Sequence, residues 1–134
     1  MNAKHQGSCL CGAVRFEIEG AFERFFLCHC GRCRKGTGSA HAANLFSSRA
    51  ALRWLSGAEN VKTFAVEGTR HARSFCSACG SALPRPFAGS ALVTPAGSLD
   101  SAVNLRPDAH ICMSSRADWD HDLEQAPAFD GLPG

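Results

Sequence analysis

The chain has 134 residues, of which 45% are hydrophobic and 19% are charged, and its formal net charge at neutral pH is +2. This length predicts one domain over residues 1–134, with a core over about residues 7–120, because it is too short for two cores. The basic residues are spread along the chain, which argues against a protein that binds nucleic acid through many phosphate contacts. No apolar run approaches the roughly 18 residues of a membrane span. With a mostly polar start over residues 1–7, we expect no membrane span, no secretory signal and a cytoplasmic location.

Short apolar or alternating segments predict strands along most of the chain. The clearest covers residues 13–19, where Val14, Phe16 and Ile18 alternate with charged residues. The other predicted strands cover residues 25–27, 39–46, 53–55, 61–66, 71–75, 81–83, 91–94 and 110–113. Frequent turns and almost no helical periodicity make the predicted fold class mainly β.

A few segments are predicted to be something other than strands. Residues 48–52 suit a short helical turn, and Gly36 and Gly38 discourage more than a single helical turn after Cys33. The tail over residues 126–134 contains two prolines and two glycines, so we expect it to be extended or frayed. The aromatic side chains that we expect in the core or a pocket wall are Phe25, Phe26, Trp54 and Trp119.

The strongest chemical signal is the run Cys28-His29-Cys30-Gly31-Arg32-Cys33, which puts three thiols within six residues. Thiolates are soft ligands that suit zinc, and a short loop can aim several sulfurs at one point. A closed structural site needs four ligands, whereas a catalytic zinc has three protein ligands and an open position. The cluster therefore predicts an open zinc site, unless His29 turns inward and closes it.

Two further cysteine pairs predict a second site. Cys9 and Cys11 are separated by one residue, Cys76 and Cys79 by two, and a glycine that can relieve the tight turn follows each pair. Each pair is two ligands short of a tetrahedral site, so the simplest partition joins all four on one structural zinc. That cross-link would contribute much of the folding free energy of a small domain.

Disulfide bonding is the alternative reading of the eight cysteines. It predicts a secreted protein with scattered bridges, and nothing in the sequence directs secretion. The Cys-x-Cys spacings are also too short for a comfortable bridge but suit a shared metal. Metal binding is the better interpretation. Cys112 is predicted to be a core residue acting as a small hydrophobe rather than an eighth ligand.

Three longer motifs surround the cysteines: Gly-Ser-Cys-Leu-Cys-Gly-Ala-Val, Cys-His-Cys-x2-Cys-Arg-Lys-x-Thr-Gly-Ser and Phe-Cys-Ser-x-Cys-Gly-Ser. In these motifs the sequence resembles the glutathione-dependent formaldehyde-activating (GFA) family, which includes centromere protein V. The resemblance continues through Ala-Gly-Ser-Leu-Asp at residues 96–100, then Pro107, His110, Ile111 and Trp119, and so covers residues from about 7 to about 119.

The resemblance implies a β-tent fold of antiparallel sheets with zinc-binding knuckles and two zinc ions per chain. Position by position, Cys9, Cys11, Cys76 and Cys79 match the structural ligands, and Cys28, Cys30 and Cys33 match the catalytic ones. His29 is not counted among the family's ligands, and His110 occupies a shared position that we interpret as structural. The name-giving reaction of the family forms S-hydroxymethylglutathione from formaldehyde and glutathione, and it is classed as a carbon–sulfur lyase reaction.

The expected function is therefore a zinc-dependent, carbon–sulfur lyase-like enzyme acting on adducts of a glutathione-like thiol with a small aldehyde. Arg32, Arg34 and Lys35 beside the open cluster are candidates to pair with substrate carboxylates, although they suit solvated surface charges equally well. His41 is a candidate proton shuttle, the alternative being a satisfied, half-buried histidine. Two other functions remain open, a non-catalytic zinc module that binds protein or nucleic acid and a thiol redox or metal-handling protein.

Overall fold

The computed structural model describes residues 3–134, so Met1 and Asn2 of the polar start lie outside the described residues. Eleven strands and one α-helix are found in this part of the chain. The strands are β1 (Lys4–Ser8), β2 (Arg15–Glu19), β3 (Arg24–Cys28), β4 (Ala42–Ser47), β5 (Ala51–Ser56), β6 (Val61–Ala65), β7 (Ala72–Cys76), β8 (Ala82–Leu83), β9 (Arg85–Pro86), β10 (Leu92–Pro95) and β11 (Ala109–Ile111). The helix is α1 (Gly31–Thr37), and single 3-10 turns cover Ala58–Asn60, Ala96–Ser98, Met113–Ser115 and Leu123–Gln125.

The strands form three sheets within the described residues. Their orders are β1-β2-β5, β11-β3-β4-β10-β9 and β6-β7-β8. Every pairing is antiparallel except that of β11, which runs parallel to β3 at the edge of the second sheet. The predicted fold class, mainly β with antiparallel sheets and cysteine clusters suited to zinc, is confirmed.

The core is built on the alternating strand β2. Phe16 and Ile18 are fully buried, as is Val14 just before the strand, while the charged residues between them face outward. Trp54 of β5 packs edge-on against Phe16, with ring centroids 5.9 Å apart. The buried core cluster consists of Cys9, Val14, Phe16, Ile18, Cys76, Leu83 and Leu92. Two cysteines from distant parts of the sequence are therefore core residues.

The second sheet carries the Cys28–Cys33 run at one end. Strand β3 ends at Cys28, α1 follows after two residues, and β4 returns antiparallel to β3. The helix has seven residues, longer than the single turn that we predicted. It ends at Gly38, which adopts a left-handed conformation with φ of 68°, and the Gly38 N–H donates to the Arg34 carbonyl. Gly36 is accommodated inside the helix, so only the second glycine terminates it.

Two predictions of secondary structure were wrong. Residues 48–52 do not form a helical turn, because β5 begins at Ala51 and its backbone pairs with β2. Strand β1 was not predicted at all, since Lys4, His5 and Gln6 are polar. It is an edge strand that is held by backbone hydrogen bonds to β2, and hydrophobic pattern does not report such pairing.

Two residues are exposed against expectation: Cys112, which we predicted in the core, and Trp119, which we predicted in the core or a pocket wall. Strand β11 ends at Ile111, and Cys112 then adopts a left-handed conformation with φ of 58° that directs the chain out of the sheet. The side chain of Cys112 is consequently exposed. Trp119 is 55% exposed, whereas Phe25 is buried and Phe26 packs against Phe46 in the second sheet.

No helix in residues 3–134 is long and apolar enough to cross a membrane. The tail over residues 126–134 is exposed throughout and contains neither helix nor strand. The single-domain organisation stays a prediction.

Substituting Gly7 tests how tightly the first sheet packs on the core. Gly7 lies opposite Phe16 in the pairing of β1 with β2, and a Cβ at this position would collide with the Phe16 ring and the Ser98 carbonyl. We expect Gly7→Ala to lower the free energy of unfolding by about 1–3 kcal/mol through overpacking. The measurement is urea unfolding followed by circular dichroism.

The matched control is Gly97→Ala, because a Cβ at Gly97 would meet no atom within 4 Å. This variant should stay within about 0.5 kcal/mol of the parent protein. Equal stability of the two variants would contradict the packing described for Gly7.

Candidate functional site

Four cysteines from two distant segments converge on one point. Cys9 and Cys11 lie between β1 and β2 of the first sheet, Cys76 is the last residue of β7 in the third sheet, and Cys79 follows it. The sulfurs of Cys9, Cys11, Cys76 and Cys79 all lie within 4.8 Å of one another. The Cys9 and Cys11 sulfurs are 3.5 Å apart, and the Cys11 and Cys76 sulfurs are 3.9 Å apart. A tetrahedral zinc with bonds of about 2.3 Å separates its sulfur ligands by about 3.8 Å. The donor set therefore fits a closed zinc site.

Although burial acts to raise the pKa of Cys9, hydrogen bonds to two of the sulfurs, those of Cys9 and Cys79, lower their pKa values and favour their thiolate forms. The Ala13 backbone acts to lower the pKa of Cys11, but the neighbouring cysteines and burial outweigh it and raise that pKa to about 11. The backbone N–H of Val14 donates to Cys9 Sγ at 3.2 Å. Ser81 Oγ accepts from the backbone N–H of Leu10 at 2.8 Å, which leaves its own hydrogen for Cys79 Sγ at 3.2 Å. Donation by the Ser81 hydroxyl, followed by that of the Ser81 backbone, lowers the pKa of Cys79 to about 5. A thiolate is the form that binds a metal.

The second cluster is local in sequence and is formed at the corner between β3 and α1. Cys28 is the last residue of β3, Cys30 caps the N-terminus of α1, and Cys33 lies in the first turn of the helix. Their three sulfurs lie within 4.8 Å of one another. The Cys33 N–H donates to Cys30 Sγ at 3.3 Å. The strand-to-helix corner thus aims three thiols at one point, as the spacing predicted.

The three thiols differ in their protonation. Burial acts to raise the pKa of Cys30, but donors led by the Cys33 N–H outweigh it and lower that pKa. Burial raises the pKa of Cys28 and of Cys33, of which Cys33 is only 8% exposed. A neighbouring cation would favour the thiolate forms of these two thiols, which otherwise resist ionisation. This donor set fits a zinc held by three sulfurs with one position left for another ligand.

His29 lies between two of these cysteines but is not part of the sulfur cluster. Its ring is 1% exposed, and Nε2 is 2.9 Å from Nδ1 of His110. Its Nδ1 is 2.9 Å from Oδ2 of Asp120. The His29 backbone N–H also donates to the Ile111 carbonyl at 2.9 Å. These contacts fasten the cysteine loop to the C-terminal part of the chain.

His41 immediately precedes β4 and lies beside this histidine pair. Its ring is 5.1 Å from that of His29, and burial, followed by repulsion from His29, lowers the pKa of His41. Its Nδ1 is buried without a hydrogen-bond partner among residues 3–134. His41 is therefore half-buried, as we expected, but its ring is not fully satisfied by the protein.

Two cavities adjoin the three-cysteine cluster. The smaller, of about 250 Å³, is lined by Cys28, Cys30 and Cys33. The larger, of about 360 Å³, shares Cys33 with it and extends along α1 toward β7 and β8. The cluster thus lies in the wall of a cavity system of the size that small ligands occupy, roughly 300 to 1,000 Å³.

The cavity walls are strongly basic. Arg32, Arg70, Arg73 and Arg85 line one cavity or both, together with His71, and no aspartate or glutamate lines either. None of these arginines forms an ion pair within the described part of the chain. Burial, followed by repulsion from Arg85, Arg32 and Arg73, lowers the pKa of His71. The arrangement suits an anionic ligand.

The predicted substrate-binding residues are placed differently from one another. Arg32 lines both cavities. Arg34 is half-buried and uses Nη1 to donate to the Ser115 carbonyl at 3.1 Å, and neither cavity includes it. Lys35 is exposed and also lies outside both cavities.

Sequence reasoning missed the other basic residues of the cavities. Arg70, Arg73 and Arg85 are far from the Cys28–Cys33 run along the chain. Pairing of β7 with β8 and of β9 with β10 places Arg73 and Arg85 in the cavity walls, and Arg70 lines the smaller cavity from the segment before β7. The only sequence signal was the basic segment Arg70-His71-x-Arg73 before the second knuckle. Asp120 gave no signal, because its contact with His29 is long-range.

A family model described as glutathione-dependent formaldehyde-activating enzyme (GFA) matches residues 4–115. The chain belongs to the GFA family. It is 35% identical to a protein of Halomonas elongata that is provisionally named a glutathione-dependent formaldehyde-activating enzyme, and the match covers 96% of this chain and 88% of that protein.

A solved structure is also similar to this GFA chain. The crystal structure of a Rhodobacter sphaeroides protein superposes with a TM-score of 0.55 at 28% sequence identity, covering 72% of this chain and 89% of that one. The family resemblance drawn from the cysteine motifs is confirmed.

Removing Asp120 tests the support behind the cysteine loop of this GFA chain. We expect Asp120→Ala to lower the free energy of unfolding by about 1–3 kcal/mol, because the buried His29 ring loses its carboxylate neighbour. Zinc content should not change, since neither residue belongs to the sulfur clusters. Thermal unfolding and elemental analysis are the measurements.

Asp118→Ala is the control for that variant. Asp118 is exposed and forms no ion pair among residues 3–134, so its loss should stay within about 0.5 kcal/mol. A loss of stability no larger for Asp120→Ala than for Asp118→Ala would refute the supporting role.

The pKa of His71 can be used to test the basic character of the cavities. The pKa of His71 is lowered, so the unfolded chain binds the proton more readily than the folded one. The free energy of unfolding should therefore keep its full value above about pH 6.5 and decrease as the pH falls below it. We expect Arg85→Gln to raise the pKa of His71 toward its ordinary value, because one repelling charge is removed. The measurement is the pH dependence of the His71 Cε1–H resonance in NMR spectra, with Arg15→Gln on the exposed side of β2 as control. An unshifted His71 in Arg85→Gln would contradict the described electrostatics.

Proposed function

We propose that this chain is a zinc-dependent enzyme of the carbon–sulfur lyase type that acts on adducts of a glutathione-like thiol with a small aldehyde. The observation that carries the proposal is the position of Cys28, Cys30 and Cys33 in the wall of a cavity whose arginines form no ion pair with any residue of 3–134. Membership of the GFA family supports the thiol and the aldehyde as substrates.

The metal would be held by the two clusters in different ways. Cys9, Cys11, Cys76 and Cys79 would hold a structural zinc, and Cys28, Cys30 and Cys33 would hold a second with one open position. A zinc ion bound there would supply ionisation of a substrate thiol and polarisation of a carbonyl oxygen. Three thiolates make the second site net negative, which favours thiol binding over hydrolysis of a substrate.

The protein's own groups would bind and orient the substrate. Arg32 at the junction of the cavities would pair with a substrate carboxylate. The walls formed by Phe26, Phe46 and Phe87 would exclude water from the reacting carbon. In the forward direction the thiolate sulfur bonds to the aldehyde carbon and the former carbonyl oxygen takes up a proton. In reverse the carbon–sulfur bond breaks and the hydroxyl proton is released.

All eight cysteines are free thiols in the structure. Unbridged thiols and thiolate metal sites persist in reducing compartments. We therefore propose a cytoplasmic location, in which glutathione is present as the reduced thiol.

Serine substitutions at three cysteines test the proposal. Cys30→Ser should lose one of two zinc ions, keep the fold and lower the rate of S-hydroxymethylglutathione formation by more than 100-fold. Losing only a supporting residue of a metal ligand already costs about 10- to 100-fold. Cys11→Ser should lose the other zinc and unfold, because its cluster is joined to the core. Cys112→Ser, at an exposed thiol outside both clusters, is the matched control and should keep metal and activity.

The measurements are zinc per chain by elemental analysis and the exchange of formaldehyde with glutathione by NMR. Dialysis of the parent protein against glutathione should change the occupancy of the second site only. Full activity of Cys30→Ser would overturn the enzyme proposal. Inactivity of the parent protein, combined with reversible oxidation of the Cys28–Cys33 thiols and zinc release by mild peroxide, would favour a redox or metal-handling role instead.

A further inference from the structure

The charges of this chain are divided unevenly along its length. Residues 1–116 hold all 14 lysines and arginines but only 7 of the 12 acidic residues, which gives them a formal charge of +7. Residues 117–134, which we call the acidic segment, hold the other 5 acidic residues and no lysine or arginine, for a formal charge of −5. These five are Asp118, Asp120, Asp122, Glu124 and Asp130. The net charge of +2 is therefore the sum of two parts of opposite sign.

The acidic segment also exposes apolar side chains. Trp119 is 55% exposed, Leu123 48%, Phe129 63% and Leu132 94%. Among residues 3–134 nine large hydrophobic side chains are exposed, and four of them lie in this segment. Exposed apolar side chains that occur together are typical of interaction surfaces. The segment therefore suits a partner that is both cationic and apolar.

The acidic segment is held to the rest of the chain only near its start. Ala117 is buried, and Asp120 Oδ2 lies 2.9 Å from His29 Nδ1. Residues 126–134 are exposed throughout, and no hydrogen bond joins residues 127–134 to another residue of 3–134. The chain therefore does not bury Phe129 and Leu132 on its own surface.

The surface that complements this segment is the mouth of the two cavities. Arg32 and Arg70 are exposed and both line the smaller cavity, while Arg73 and Arg85 are half-buried in the walls. No aspartate or glutamate lines either cavity. The apolar wall of the smaller cavity consists of Phe26, Phe46, Phe87, Val93 and Ile111. Exposed cations thus lie beside an aromatic wall.

We propose that the acidic segment of a second copy of this chain docks at this mouth, and that two copies exchange their segments in a two-fold symmetric dimer. Carboxylates of the segment pair with Arg32 and Arg70, and Phe129 packs on the aromatic wall. A second copy fits because one chain carries both complementary surfaces, and a symmetric exchange uses each of them twice. The inference goes beyond the proposed function and does not depend on it, since association needs neither substrate nor turnover.

The first test is sedimentation velocity of the zinc-loaded full chain from micromolar to submillimolar concentrations. A reductant keeps the exposed Cys112 from linking two copies through a disulfide. We expect a dimer that forms with rising concentration and dissociates as the salt concentration rises, because salt screens charges at the edge of an interface.

Two charge variants locate the contact. The acid variant combines Asp122→Asn, Glu124→Gln and Asp130→Asn, and it leaves Asp120 with His29. The arginine variant combines Arg32→Gln and Arg70→Gln. We expect each of them to raise the dissociation constant of the dimer by about tenfold or more, because several ion pairs are lost in each of two contacts.

Each charge variant has a control with the same change in charge. The acid control combines Glu19→Gln, Glu59→Gln and Glu67→Gln, and the arginine control combines Arg15→Gln and Arg49→Gln. All five side chains are exposed and form no ion pair among residues 3–134. Both controls should keep the dissociation constant within about twofold of that of the parent protein.

A further variant tests the apolar contact without changing the charge. Phe129→Ser should weaken the dimer in the same direction as the acid variant, because the aromatic wall loses its partner. Phe129 is exposed in the single chain, so the substitution should not affect folding. Thermal unfolding of every variant shows that the fold is kept.

A mixture of the acid variant and the arginine variant tests the exchange between copies. In a mixed dimer the intact acidic segment of one copy meets the intact arginines of the other, so one of the two contacts is restored. The mixture should therefore associate more tightly than either variant alone. A segment that docked within its own chain would give no such rescue.

Three results would overturn the proposal. The first is a parent protein that stays monomeric at low salt over the whole concentration range. The second is a dimer that the acid and arginine variants weaken no more than their controls do, because the contact would then lie on another face. The third is a mixture that associates no more tightly than its components.

Discussion

The structure depends on the meeting of Cys9 and Cys11 with Cys76 and Cys79. The Cys11 and Cys76 sulfurs are 3.9 Å apart although the residues are separated by 65 positions. Cys9 and Cys76 also belong to the buried core with Phe16 and Ile18, so the four-cysteine cluster and the core form one unit. A chain of this length buries a limited apolar area, and a metal cross-link between distant segments would add what the core lacks.

The three-cysteine cluster has the opposite character, since it is assembled within one strand-to-helix corner. The loop that carries these cysteines is held by His29, which contacts His110 and Asp120 in the C-terminal part of the chain. The three cysteines line the smaller cavity, and Cys33 also lines the larger one. The protein therefore separates a cysteine cluster that is joined to its core from a cysteine cluster that lines a cavity.

The arginines around the cavities lower the stability of the folded protein when no ligand is bound. Arg32, Arg70, Arg73 and Arg85 repel one another, and no carboxylate in the cavity walls offsets the repulsion. The pKa of His71 is lowered by burial and, after burial, by repulsion from Arg85, Arg32 and Arg73. Departures from local stability of this kind are typical of functional sites, where a ligand supplies the missing charge.

The sequence by itself determined which cysteines could hold metal ions, because both clusters are built from short Cys-x-Cys and Cys-x2-Cys motifs that can be recognised without the fold. It also predicted the mainly β fold through the alternation in β2. Only the tertiary structure decided which polar segments pair, as in β1, and which apolar side chains stay outside, as in Trp119 and Cys112. It alone placed Arg70, Arg73 and Arg85 beside Cys33, because residues distant along the chain meet through strand pairing, and local pattern carries no record of that pairing.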